Sequence, residues 1–148
     1  MKPKESLSSG TKNGKPQDSA HFVYISDESG IITAFDQIKS KLRCELNGYL
    51  TLIYSTPVYL SQPLFRAELE NIEKRFQSRL ITHYVYNRNP HPSDNPDNHQ
   101  QILEIVINSN TCRMMQFLIL GHEEFASTVT GRLQFLGIKS DQISSQII

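Results

Sequence analysis

Residues 21–42 read HFVYISDESGIITAFDQIKSKL, and this stretch decides the fold class. Phe22-Val23-Tyr24-Ile25 is a short β-prone run. Ser26 to Gly30 forms a polar, glycine-ended turn, after which Ile31, Ala34, Phe35, Ile38 and Leu42 recur at helical spacing. A strand, a turn and a helix therefore follow one another. Downstream, Asn47-Gly48 breaks the helix, and Tyr49 to Tyr54 reads as a second strand whose unbroken apolar run predicts burial on both faces.

The unit then repeats. A helix is expected from near Pro63, with Leu64, Phe65, Leu69, Ile72 and Phe76 inward and Arg66, Glu70, Glu73 and Lys74 outward. Leu80 to Tyr86 is the third strand. Asn87 to Asn98 holds three prolines and almost nothing to bury, which predicts a long surface loop. Residues 99–110 carry Ile102, Leu103, Val106 and Ile107 at spacings that suit a short helix, with a strand left open by the β-branched content. Met115 to Leu120 is a fourth buried strand ending at Gly121. Phe125, Val129, Leu133 and Leu136 mark a last helix closed by Gly137, and Gln142 to Ile148 a fifth strand. Alternating strands and helices of this kind predict a three-layer, doubly wound (Rossmann-like) α/β domain. It should have a parallel sheet of about five strands, right-handed crossovers and a ligand crevice at the strand C-termini.

Upstream of this pattern, residues 1–20 contain only Met1, Leu7 and Ala20 as apolar residues, so a disordered tail is expected before a single domain over 21–148. Fifteen basic and fifteen acidic residues cancel, which disfavours nucleic acid and anionic membrane as partners. The chain has no apolar run of membrane-spanning length and no hydrophobic leader, so a soluble, cytoplasmic protein is expected. Cys44 and Cys112 stand far apart without a CxxC spacing and read as buried or half-buried thiols.

Candidate chemistry falls on the loops after the strands, where helix N-termini present unpaired N–H groups. In the first loop Asp27 and Glu28 bring carboxylates where a phosphate cradle needs small residues, so capping of the following helix is the preferred reading. His83, His91, His99 and His122 lack the close spacing of metal ligands, and no metal is expected. His122 with Glu123 and Glu124 opens the last helix, where the acids complement its dipole. No GxSxG elbow or Walker A loop is present, and Ser55 has no base nearby in sequence, so no catalytic residue is assigned.

In order and spacing, these landmarks resemble the C-terminal NAD(P)-binding domain of the ferredoxin-NADP reductase-like flavoproteins. Ser29-Gly30-Ile31 matches the family's Gly-Ile-Thr-Pro loop, with Ile32-Thr33 in place of Thr-Pro. Tyr54, Phe65, Glu68 and Leu69 match its second unit, Asn87-Arg88 its Ser-Arg, and Leu120-Gly121-His122 its Cys-Gly-Pro. The resemblance implies an oxidoreductase component that binds NAD(P). The cofactor-binding residues it implies are Ser29, Gly30, Ile31, Ile32, Thr33, Ser55, Thr56, Asn87, Arg88, Gly121, His122 and Glu123, with the Gly30 loop at the phosphates, Arg88 at the adenosine end, Gly121-His122 at the nicotinamide end, and Ile32 in place of a Thr that lies near the nicotinamide in the family. FAD is not expected within this chain, so a separate flavin-binding or redox protein is the implied partner. Several family positions are changed: the loop glycines are Asp27 and Glu28, the hydride-site Cys is Leu120, a phosphate-holding Arg is Pro57, and the terminal acid is Gln146. These changes keep open the alternative of a catalytically inactive relative that retains the fold as a binding or regulatory module.

Overall fold

In the computed structural model, which describes residues 21–44, 48–57, 63–76, 79–87, 96–109 and 115–148, the apolar runs become five parallel strands. The chain runs β1 (His21–Ser26), α1 (Ile31–Cys44), β2 (Tyr49–Pro57), α2 (Arg66–Arg75), β3 (Leu80–Asn87), α3 (Pro96–Asn108), β4 (Met115–Gly121), α4 (Glu123–Phe135) and β5 (Ile143–Ile147). Sheet order is β3-β2-β1-β4-β5. Tyr24 stands opposite Leu52 on one side and Leu118 on the other, so β1 is central and buried on both faces.

Strand alternation divides the core in two. Val23, Ile25, Ile53, Val85 and Phe117 face α3 and α4, while Tyr24, Leu50, Leu52, Tyr54 and Leu80 face α1 and α2. The expected three-layer, doubly wound arrangement follows directly. All five apolar positions read for α1 are buried.

Three expectations need correction. α2 starts at Arg66, after a turn in which the Arg66 N–H donates to the Pro63 carbonyl at 3.1 Å. Phe65 holds a left-handed backbone (φ 67°) that breaks helical continuity, and its ring stacks on Phe35 at 4.5 Å. This turn leaves Leu64 exposed rather than inward. α3 is a helix and begins at Pro96, where proline's fixed φ and missing N–H suit a first helical position; the polar loop therefore ends before residue 96. Cys44 is exposed, because it ends α1 outside the apolar stripe. The tail of residues 1–20, Asn47, Arg88, His91 and Cys112 lie outside the described residues.

Candidate functional site

The sheet's topological switch lies between β1 and β4, whose following helices depart to opposite faces. Asp27, the first residue after β1, sits in that switch and is 6% exposed. Its Oδ1 accepts hydrogen bonds from the Ser29 N–H (2.9 Å), the Ser29 hydroxyl (2.6 Å) and the Gly30 N–H (3.1 Å). Oδ2 accepts from the His122 N–H at 3.1 Å. One carboxylate thus holds the N-terminal ends of both α1 and α4. α1 has no acidic residue in its first turn, so Asp27 supplies the anion that its dipole favours. The capping reading holds for Asp27 alone, since Glu28 is exposed.

Two glycines make this clamp sterically possible. A Cβ on Gly121 would lie 2.5 Å from the Asp27 carboxyl carbon, and a Cβ on Gly30 would overlap the Leu120 carbonyl. The Asp27 N–H also donates to the Leu120 carbonyl at 3.2 Å, which ties β1's exit to β4's end.

The residues anticipated from sequence, Arg88 excepted, fall among the described residues. Ser29, Gly30, Gly121 and His122 are gathered around the Asp27 carboxylate. Ile31 is wholly buried in the α1–α2 core and can reach a ligand only through its backbone; Ile32 is exposed and Thr33 half-buried. Ser55 and Thr56 are buried at the end of β2, beside Asn87, the last residue of β3. His122 and Glu123 are exposed where α4 begins.

Sequence reading missed a second cluster one strand away. Tyr54, Tyr84 and Tyr86 share the α2-side face of β2 and β3, with ring centroids 5.9 Å apart for the first pair and 6.5 Å for the second. The Arg66 guanidinium lies 5.1 Å over the Tyr84 ring and donates to the Tyr86 hydroxyl and to Glu70, each at 3.3 Å. Helical periodicity places Arg66 simply outward. The overlooked signal was the even spacing of Tyr84 and Tyr86, which puts both rings on one face of a strand beside Tyr54.

The Tyr54, Thr56 and Tyr84 hydroxyls are buried without a hydrogen bond of ordinary geometry. Burial raises the Tyr54 pKa, with Glu28 adding to it, and pushes Tyr84 up to about 12 against the opposing pull of Arg66. The folded protein therefore keeps the Tyr84 proton after the unfolded chain has lost it at 10.0. This contribution to stability is complete below pH 10 and lost as the pH rises through about 12. Ultraviolet titration should resolve a late-ionising phenol that a Tyr84→Phe variant lacks. Ionisation of every tyrosine in one step near the ordinary value would contradict it.

Among the described residues, no cluster of three or more His, Cys, Asp or Glu is arranged for a metal ion, and no helix is long and apolar enough to cross a membrane. A nicotinamide dinucleotide fits this crevice only in part. The Ser29 and Gly30 N–H groups are already used by Asp27, whose charge repels a pyrophosphate at α1, whereas the Arg66–tyrosine cluster offers a cation and ring faces.

The whole arrangement superimposes on known reductase domains. Ferredoxin-NADP+ reductase from Plasmodium falciparum matches with a TM-score of 0.72 at 18% identity, over 93% of this chain and 55% of the reductase. The same reductase with 2′P-AMP matches with a TM-score of 0.62 at 19% identity, over 93% of this chain and 56% of that one. The CS-b5R domains of human Ncb5or match with a TM-score of 0.65 at 16% identity, over 92% and 39% of the two chains. The cytochrome b5 reductase domain of Ulva prolifera nitrate reductase gives 0.62, 14%, 86% and 49% in the same order. This chain spans about half, or less, of the structures that it matches. Its fold is that of ferredoxin reductase-like C-terminal domains. No family model matches the chain, and no curated protein does.

Proposed function

We propose that this chain is the nicotinamide-nucleotide-binding component of a ferredoxin reductase-type oxidoreductase, working with a flavin that a separate flavin or redox protein holds. Residues 21–148 are its working domain. A bound nicotinamide nucleotide would supply the hydride; the chain's own task is to bind and orient it. The observation that carries this reading is Arg66, a cation stacked on Tyr84 and bonded to Tyr86 beside the ends of β2 and β3. Such a surface suits a phosphorylated adenosine, the kind of molecule with which the Plasmodium reductase was solved. With α1's donors occupied by Asp27, the ligand's negative charge is drawn toward Arg66.

Calorimetric titration of the purified chain with NADH, NADPH, NAD and NADP tests this. Micromolar binding of at least one is expected, weakened about tenfold by Arg66→Ala, the loss of one charge-assisted contact. Absence of heat with all four at millimolar concentration would overturn it.

That outcome would favour the second reading, an inactive relative that keeps the fold as a binding or regulatory module. Specific changes support it. Leu120 is wholly buried, Ile32 is an exposed apolar side chain, and the Gln146 amide oxygen is taken up by Gln37 at 3.0 Å. Leu120 and Ile32 offer no polar side-chain group to a nicotinamide, and Gln146 puts a neutral amide where the resemblance implies an acid.

A further inference from the structure

A cavity lies at the other end of the sheet, away from the Asp27 crevice. The β3-to-β4 crossover must pass both β2 and β1 before β4 joins the sheet, so α3 and α4 between them cover this whole face. The buried stripe of α3, Ile102, Leu103 and Val106, shares one cluster with Ile53, midway along β2, and Val85, in the later part of β3. At the beginning of β3 this face is left incompletely covered. The cavity, of about 510 Å3, lies there, reaching from His21 and Thr51 to His83 and bounded above by Ile105 and the last turn of α3. Small-molecule sites typically occupy about 300–1,000 Å3, mostly apolar with a few convergent polar groups.

The polar groups here are specific. His21 and Thr51 are 4% and 3% exposed, and the His21 Nε2 and Thr51 Oγ1 lie 2.8 Å apart, which fixes both side chains at one end of the cavity. His83 stands at the other end, half-buried, and makes no hydrogen bond to another described residue. Burial lowers its pKa, with Glu73 pulling the other way, so at neutral pH its ring offers one donor and one acceptor. Between them Ile81 is 53% exposed, an apolar wall in contact with solvent.

Charge selects the occupant. Among the described residues that line the cavity, Arg79 is the one guanidinium, and it donates to the Gly48 carbonyl at 3.0 Å and to the Leu42 carbonyl, in the last turn of α1, at 3.3 Å. The C-terminal end of α3 adds a partial negative charge. The Arg79 charge is thus set against the carbonyl ends of α1 and α3, which leaves little of it for an anion to complement. A slot between a sheet and a helix takes a flat molecule, and the Thr51 hydroxyl and the His83 imidazole at its ends reward hydrogen-bonding edges.

We propose that this cavity binds an uncharged, fused-ring heteroaromatic molecule, with its polar edges on the Thr51 hydroxyl, which His21 holds in place, and on His83. The site is independent of the nucleotide crevice, at the opposite edge of the sheet.

Indazole is a suitable probe: it is bicyclic, uncharged at neutral pH, and carries one N–H and one ring acceptor. Adding it to the full chain and following the histidine ring protons by NMR should give saturable shifts of His21 and His83, with His122 unmoved. Naphthalene-2-sulfonate, of similar size but anionic, should not produce them. Ile81→Trp should fill the slot and abolish the shifts. Thr51→Val, which keeps the side-chain shape and removes the hydroxyl, should weaken indazole about tenfold, the worth of one hydrogen bond, and remains informative if the tryptophan variant does not fold. Unmoved His21 and His83 signals up to the solubility of indazole would overturn the proposal. So would equal binding of the sulfonate, or undiminished binding by folded Thr51→Val.

Discussion

Replacing Asp27 with glycine is expected to lower the unfolding free energy by about 3–5 kcal/mol, the largest effect of any polar substitution considered for this chain. Hydrogen bonds to a charged acceptor contribute about 1.5–3 kcal/mol each, and this carboxylate accepts four, though a set sharing one acceptor does not add in full. An asparagine should fall between. Its amide oxygen can keep the Ser29 and Gly30 bonds, but its NH2 would face the His122 N–H, donor against donor. In the glycine variant the freed N–H groups at two helix N-termini become an anion seat, so millimolar sulfate or pyrophosphate should raise its melting temperature and leave the native protein's unchanged. Denaturant unfolding with and without the anion gives both readings. An Asp27→Gly variant as stable as the native protein would remove the clamp from this description. Glu28→Gly, at an exposed position, should do neither.

Gly30→Ala is expected to destabilise by about 3 kcal/mol or more, or to prevent folding, because overpacking against an atom that cannot move is the most damaging kind. The added Cβ would overlap the Leu120 backbone carbonyl, and that carbonyl already accepts the Asp27 N–H. Relief would require moving α1 away from β4, opening the core around Ile31, Ala34 and Leu120. Gly131 supplies the contrast. It lies within α4, where an added Cβ would meet nothing inside 4 Å, so Gly131→Ala should stabilise by about 0.5–1 kcal/mol through helix propensity alone. Thermal melts of the two variants side by side separate close packing from propensity. Equal effects at both positions would contradict the contact between Gly30 and Leu120.

Much of the fold was legible because burial leaves a periodic trace. Ile31, Ala34, Phe35, Ile38 and Leu42 could be assigned to one face of α1 from spacing alone, and all five are buried. The start of α2 was not legible, because it depends on Phe65 finding Phe35, a partner 30 residues earlier in the chain and on another helix. The candidate site divided in the same way. That Asp27 would cap could be read from its place before a helix, but its hold on His122, 95 residues away, could not. Nor could the role of Arg66, since a helical wheel records only which side faces outward and not that two tyrosines of β3 lie beneath it.

By itself, the sequence determined the class of fold, the order of its strands and helices, and the edge of the sheet where their loops gather. Each of these follows from local periodicity and from the connection rules of parallel sheets. Only the tertiary structure decided that one carboxylate ties α1 to α4, that a cation rests on the tyrosines of β2 and β3, and that a cavity opens beneath α3. Those features depend on distances between residues far apart in the chain, which are fixed only when the sheet has assembled and each helix has chosen a face.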